Sequence, residues 1–403
     1  MFWLALLALW LIAVISLLLV YRRDLLALWC EPVLSHPVLI VESDDWGAGP
    51  IEQAPALLRL SELLGRYRDA DGHPPVMTIA VVLAIPDGAV IAASGRYQRR
   101  ALGSALFHPI VDALQLGVST QVFALQLHGL EHYWPETLMA SGEAGVMRWL
   151  REDRPQSTER LPAHLQSRWL DARHLPSSPL DSVQIERAAE EEISLFSSVL
   201  GQAAKVVVPP TFVWDDNIER AWAARGIEIL VTPGRRSSGR NGLGEPDCSG
   251  GNIRNGEISN GLTCIVRNDY FEPEKGHQAE RALDALRLRT RQGRPCLLET
   301  HRSNFLQSSS DAAFQELDRL LSRAVASFAE IRFMSTLELG RVMRDRSGPL
   351  LVQSRTGRLA AWIARLEELS RFHKLGRLSG LVLLLRLTDS LHRGREKKFS
   401  ELA

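Results

Sequence analysis

Val38-Leu39-Ile40-Val41-Glu42-Ser43-Asp44-Asp45-Trp46-Gly47 is the stretch whose reading decides the fold. A short apolar run rich in β-branched residues, closed by turn chemistry, reads as a buried strand. Two adjacent carboxylates stand where that strand stops. Neighbouring acids crowd negative charge, which is costly unless a cation or a shared proton relieves it. A divalent metal held by one Asp, with the other left as a proton acceptor, meets that need. On these residues alone, a surface turn with an Asp helix cap is the plainer alternative.

Outward from this strand the chain alternates short β-branched runs with longer segments of helical period. Further strands are expected at 76–83, 122–127, 205–208, 228–232, 262–267, 295–299 and 330–334. Helices are expected at 51–67, 97–116, 182–200, 217–225, 277–291 and 312–328. Such alternation implies a parallel sheet, open or closed into a barrel, with chemistry at the carboxyl ends of its strands. Two long irregular stretches, 153–181 and 234–261, are expected to project from that same face.

The 403 residues carry 47 Lys plus Arg against 47 Asp plus Glu, so no overall field draws in nucleic acid, and none is expected as a partner. Cys30, Cys248, Cys264 and Cys296 form no CxxC pair, which argues against a cysteine-based zinc site and gives no disulfide framework. Residues 1–20 contain no charged side chain and are about long enough to cross the hydrocarbon core as a helix. A basic n-region and a small-x-small cleavage site are both missing, so residues 1–23 read as an uncleaved membrane anchor. Arg22 and Arg23 then bias the following end toward the cytoplasm. Residues 24–37 read as a linker. Residues 347–403 read as a basic tail whose segments 359–372 and 375–387 suit either an amphipathic helix in the headgroup layer or a helix packed outside the barrel. The end, 393–403, is expected to be frayed.

Three further segments carry chemistry-bearing side chains at strand ends. In Gln126-Leu127-His128-Gly129-Leu130-Glu131-His132-Tyr133 the two histidines are four apart, so one turn of helix would put both imidazoles on one ion. Together with a strand-end Asp they make a mixed O/N site suited to zinc or another divalent ion that activates water. The segment also fits H-x-x-E-H, the inverted zinc-protease pattern, but that needs one continuous helix, which Gly129 and Pro135 oppose. Leu297-Leu298-Glu299-Thr300-His301 ends another strand on a histidine fit for general-acid work. Val208-Pro209-Pro210-Thr211-Phe212-Val213-Trp214-Asp215-Asp216 supplies aromatic and acidic residues at a fourth.

Ser43-Asp44-Asp45, the His128/His132 pair, the Pro-Pro-aromatic segment near Trp214 and the strand-borne His301 resemble the ordered motifs of the polysaccharide deacetylase (NodB-like, carbohydrate esterase 4) superfamily. Glu-Ser-Asp-Asp-Trp-Gly, Phe271-Glu272-Pro273 and Thr300-His301-Arg302-Ser303-Asn304-Phe305 are similar to an uncharacterised bacterial, membrane-anchored branch. The resemblance covers residues 38–346. It implies an α/β fold, a distorted (β/α) barrel of about seven parallel strands, here between an N-terminal transmembrane helix and a C-terminal helical tail. It also implies that Asp45, His128 and His132 hold a divalent metal, with zinc expected, that Asp44 is the base and that His301 is the acid. The implied activity is hydrolysis of N-acetyl groups on a sugar or glycan, lipid-linked or from the envelope, at the bacterial inner membrane, with the side left open. Trp46, Trp214, Tyr270 and Arg302 are candidates for carbohydrate contact. The family's usual Arg ahead of the Pro-aromatic motif is Val208 here, so the tether of Asp44 must come from elsewhere, with Arg267, Arg302 and Arg235 as candidates. Asp215 and Asp216 are the candidates for the Asp that often partners the family's acid histidine. Two other classes stay open: a barrel that binds glycan without cleaving it, and a metal hydrolase of another amide or a glycosidic bond.

Overall fold

The structure, a computed structural model, describes all residues except 155–156, 249, 307–309, 386 and 388–403, so the expected frayed end at 393–403 lies outside the described residues. Seven parallel strands form the sheet, in the order Leu262–Val266, Ile229–Thr232, Val206–Val207, Phe123–Leu127, Met77–Val82, Val38–Gly47 and Cys296–His301. Asp269–Tyr270 extends it beside Cys296–His301, and Arg332–Phe333 pairs with the start of Val38–Gly47. Ile258–Ser259 adds an antiparallel edge. Because Leu262–Val266 ends the parallel strands on one side and Asp269–Tyr270 ends them on the other, the sheet curls until only residues 267–268 span the seam. This is the expected distorted barrel.

Alternation along Val38–Gly47 sorts its side chains. Leu39 and Val41 pack outward under the helices with Leu57, Leu286 and Leu317, whereas Val38 and Ile40 pack inward with Ala80, Val206 and Ile265. Glu42 and Asp44 therefore continue the inward phase toward the carboxyl ends of the strands. The surrounding helices carry ordinary stop signals. Ser182–Leu200, for example, is started by an Asp181/Gln184 capping box and ended by Gly201 in the left-handed region. The helix expected over 97–116 is shorter. Only His108–Ser119 is α-helical, entered through Pro109 in its first turn, while Arg99–Ala101 pairs with Ala84–Pro86 as a small antiparallel ribbon.

At the opposite, amino-terminal end of the strands lies the base. Phe2–Val20 is a single helix, long and apolar enough to cross a membrane and largely exposed along its length. Helix Arg22–Cys30 follows and packs on helix Arg355–Arg365 from the tail. The joint is polar at its centre. Arg365 is fully buried and donates to five backbone carbonyls, those of Leu28, Glu31, Pro32, Gln292 and Gly293. Beside it Glu31 takes two hydrogen bonds from Arg294, of 2.7 and 2.6 Å. The start of the tail is thus built into the barrel floor, and Val352 also donates to the Val33 carbonyl. Removing one partner of such a buried array leaves the rest unsatisfied, at a cost of about 3–5 kcal/mol. Arg365→Ala is accordingly expected to lower the denaturation midpoint of the full chain strongly. An unchanged midpoint would mean that the tail contributes nothing to the floor.

Candidate metal centre

Strict alternation would send Asp44 and Asp45 to opposite faces of the sheet. The pairing of Val38–Gly47 with Met77–Val82 shifts register between Ser43 and Trp46, and Asp45 sits at φ 70°, in the left-handed region. This irregularity turns the Asp45 side chain back toward the strand ends, beside Asp44. A non-glycine residue there is strained, and strain of this kind collects at functional sites. Two features hold it. Gly47, at φ 108°, lies so close to the neighbouring strand that a Cβ would stand 2.4 Å from the Val82 carbonyl oxygen. Arg302, buried, donates from Nη1 to the Asp45 carbonyl and from Nη2 to Glu159 at 3.1 Å.

His128 and His132 reach the same point from the end of Phe123–Leu127. They do so without the expected turn of helix: residues 128–134 are irregular, and Gly129 at φ 86° makes the bend. The inverted zinc-protease pattern loses its structural premise with that helix. Nε2 of His128 lies 3.3 Å and Nε2 of His132 lies 3.4 Å from the same Asp45 oxygen, Oδ1. One donor atom from each of the three residues falls within 4.8 Å of the others, all of them buried. Asp45 Oδ1 has no hydrogen-bond partner, an expensive state for a buried carboxylate oxygen. The His128 ring is oriented by a 2.8 Å contact between Nδ1 and the Val208 carbonyl, which places a proton on Nδ1 and turns Nε2 toward Asp45. Burial disfavours charge on His128, but the Asp44 and Asp45 carboxylates raise its pKa, so a cation would displace a proton there. Burial drives the His132 imidazole down to about 4 despite Asp45, so near neutrality it offers a lone pair. Two imidazole nitrogens, an ionised carboxylate and an orphaned oxygen are the donor set that a divalent cation requires.

Asp44 is held by a residue from the seam. Arg267 donates to both of its oxygens, at 2.6 and 2.7 Å, and from Nε to Glu42 at 2.5 Å. Glu42 also takes the hydroxyl hydrogen bond of Thr336. Burial alone would raise the Asp44 carboxyl, but the charges of Arg267, His128 and His301 outweigh it and hold the group below the usual carboxylate range. Of the three arginines considered as tether, Arg267 makes the contact. Arg302 clamps Asp45 instead, and Arg235 forms a backbone bridge to Asn252.

His301 stands opposite Asp44 in the pairing of the two strands. Its Nδ1 meets Glu272 Oε1 at 2.6 Å, and Asn304 bonds the other Glu272 oxygen at 2.6 Å. The partner expected at Asp215 or Asp216 is therefore Glu272. Asp215 caps helix Asp216–Ala224 through the Asn217 and Ile218 amides, and Asp216 pairs with Arg236 and Asn260. Burial opposes charge on His301, yet the Glu272 hydrogen bond and the Asp45 and Asp44 carboxylates push it up to about 10. The ring is thus an imidazolium at neutral pH, the form that can donate a proton. Since the pKa is raised above its unfolded value of about 6.5, the pairing is fully stabilising below that pH and is lost as pH rises through about 10. Glu272→Gln removes the hydrogen-bonded charge, so the alkaline limb of any His301-dependent activity should move to lower pH. An unmoved limb would separate His301 from the acid role.

The aromatic candidates divide. Trp46 and Trp214 are both 0% exposed, so neither offers a face to a sugar. The Trp46 indole donates to Ser43 and stacks beside Phe305, and that of Trp214 donates to Glu219. Tyr270, 47% exposed, remains at the rim near Glu299. Glu131, between the histidines, faces away into ion pairs with Arg99 and Arg168 at 2.7 and 2.6 Å. Glu299, two residues before His301, lies 3.5 Å from Arg267, and burial raises its carboxyl against that arginine's pull. Of the two long irregular stretches, the first brings Glu159 to the site. The second does not stay on that face, because Asn255 reaches the floor beside Glu31.

No protein-family model matches the chain, and no curated protein matches it. Among solved structures it is similar to a 4-alpha-glucanotransferase from Thermococcus litoralis, with 11% identity and a TM-score of 0.39 over 84% of this chain. The match covers 48% of that longer protein. A family 4 carbohydrate esterase from Streptomyces lividans, in complex with acetate, matches at 8% identity and a TM-score of 0.35, over 76% of this chain and 96% of its own. A peptidoglycan deacetylase from Bacillus subtilis matches at 11% identity and a TM-score of 0.37, over 77% and 94%. These are remote likenesses.

Proposed function

We propose that the chain hydrolyses N-acetyl groups on a glycan, using a divalent cation, with zinc fitting the donor set, held by Asp45, His128 and His132. The observation that carries this reading is the orphaned Asp45 Oδ1 facing two imidazole nitrogens, flanked by a carboxylate kept ionised and an imidazole kept charged. When bound there, the cation would polarise the acetyl carbonyl and lower the pKa of water.

The remaining work falls to the chain's own groups. Asp44 accepts the proton of the attacking water. Arg267 occupies one lone pair on each Asp44 oxygen and leaves others for that proton. His301 donates a proton to the departing amine nitrogen, and Glu272 fixes which ring nitrogen faces the substrate. The products are acetate and a free amino sugar. Arg302 positions Asp45 through its backbone, and Tyr270 is the aromatic placed to meet a sugar ring at the rim. The apolar helix Phe2–Val20 would fix this activity to the bacterial inner membrane as a single-pass anchor. Incubating the purified full chain with N-acetylglucosamine oligomers should release acetate, and a chelator should stop it. Cleavage between sugars without acetate would instead indicate a glycosidase. Binding without any product would indicate a non-catalytic glycan-binding barrel.

A further inference from the structure

The tail does more than close the floor. Helix Ser370–Leu378 climbs beside Phe2–Val20, with the Tyr21 and Phe372 rings 5.4 Å apart at its start. At its top the Trp10 indole donates to the Ser379 carbonyl at 2.8 Å. The chain then turns back through Gly380, at φ 77°, into a second helical segment over 381–385. Gly376 allows this return, because a Cβ there would lie 2.9 Å from Val382. Leu381 and Leu385 come back to the cluster of Leu25, Leu28, Leu366 and Phe372. The result is a helical hairpin laid along the apolar helix, its tip level with Trp10, about 16 Å along that helix from Tyr21 at 1.5 Å per residue.

The hairpin's outer surface has the character of a membrane boundary. Leu378, Leu383, Leu384 and Leu387 are exposed. Ser370, His373, Lys374 and Arg377 share one groove with Glu367 and Leu378. At the foot lie Arg22, Arg23 and an aromatic set of Tyr21, Trp29 and Trp362, the two indoles 6.1 Å apart. Exposed leucines on the returning limb, a basic side whose long stems can snorkel, and an aromatic-basic girdle suit the step from acyl chains to headgroups. All of this joins the one helix in the chain that is apolar enough to span, among the described residues.

We infer that the base of the barrel is a lipid-docking surface, in which the C-terminal hairpin enters the bilayer beside Phe2–Val20 while the cation site faces away from it. Val38 begins its strand at the floor and Asp44 is six positions on, about 20 Å at 3.3 Å per residue. If the proposed deacetylation holds, the acetylated sugar must then be carried on a polymer standing off the membrane, because a sugar seated among headgroups lies at the wrong end of the barrel.

The test does not depend on activity. Cys30 and Cys248, the two exposed thiols, are replaced by Ser in the full chain, and a polarity-sensitive fluorophore is placed on Leu384→Cys or Leu383→Cys, or on Ile51→Cys, exposed in the turn that follows the carboxyl end of Val38–Gly47. The protein is reconstituted into vesicles of equimolar phosphatidylcholine and phosphatidylglycerol. At positions 383 and 384 the expected result is a blue shift and strong quenching by nitroxide lipids but not by aqueous iodide, with the reverse at 51. Iodide quenching at 383 and 384 would overturn the lipid assignment. So would quenching there by neither agent, which would point to a second protein copy covering the hairpin. Nitroxide quenching at 51 would overturn the orientation.

Discussion

Asp44→Asn is expected to reduce acetate release by roughly 10²–10⁴-fold, the usual worth of a positioned proton-transfer group, while leaving the bound cation in place. The amide keeps the shape of the carboxylate but cannot take a proton from water, and it makes none of the three cation contacts. The replacement also removes one carboxylate beside the Arg267 guanidinium, whose charge Glu42 still balances. The variant should therefore fold, and acetate release with metal content measured on the same sample gives the answer. Retained turnover would take the base role away from Asp44. Metal lost together with turnover would mean that Asp44, not Asp45, belongs to the ligand set.

Arg267→Met should be the more damaging change to the molecule as a whole. Arg267 is the buried cation between Glu42, Asp44 and Glu299, and it comes from the residue pair that spans the barrel seam. Removing one member of a buried ion pair costs about 3–5 kcal/mol, because the partner charges stay behind in a poor solvent. Asp44 would then lose the strongest influence holding its carboxyl low. Because that pKa is depressed in the fold, its stabilising contribution is present above the unfolded carboxylate value of about 3.9 and disappears as pH falls through the lower folded one. In Arg267→Met the acid limb of activity should move to higher pH and the denaturation midpoint should drop. Arg267→Lys should recover part of the midpoint, since it restores a charge, but less of the activity, since it cannot grip both Asp44 oxygens. Equal recovery of both would reduce Arg267 to a structural counter-ion.

Much of this arrangement can be read from the chain before folding, for identifiable reasons. The seven parallel strands announce themselves as short branched apolar runs, since a sheet covered by helices has no solvent face to interrupt them with polar residues. Asp45, His128 and His301 are visible because each stands at or just beyond the end of such a run, and His132 because it lies four residues after His128. What the sequence hides depends on closure or on a single dihedral. That Asp44 and Asp45 share a side follows from the left-handed turn at Asp45, which the two-residue alternation of a strand contradicts. Arg267 is one of three plausible tethers until the sheet curls and brings it against Asp44, 223 positions away in the chain. Glu272 sits in the open in Phe271-Glu272-Pro273, but an Asp is the expected partner of the histidine, and Asp215-Asp216 lies nearer the aromatic motif. The Asp215 side chain is already used as a helix cap, a signal its position before a helical segment does carry. Trp46 and Trp214 show the limit of proximity in sequence: large rings beside candidate site residues are first of all packing.

The convergence of Asp45, His128 and His132 on one cation is the claim on which the rest stands, and metal content measures it most directly. Elemental analysis of the purified full chain, dialysed against trace zinc, should find one divalent ion per chain, and His128→Ala should lose it while keeping the same secondary structure. A wild-type chain that retains no ion, or a His128→Ala chain that retains as much as the wild type, would contradict the account.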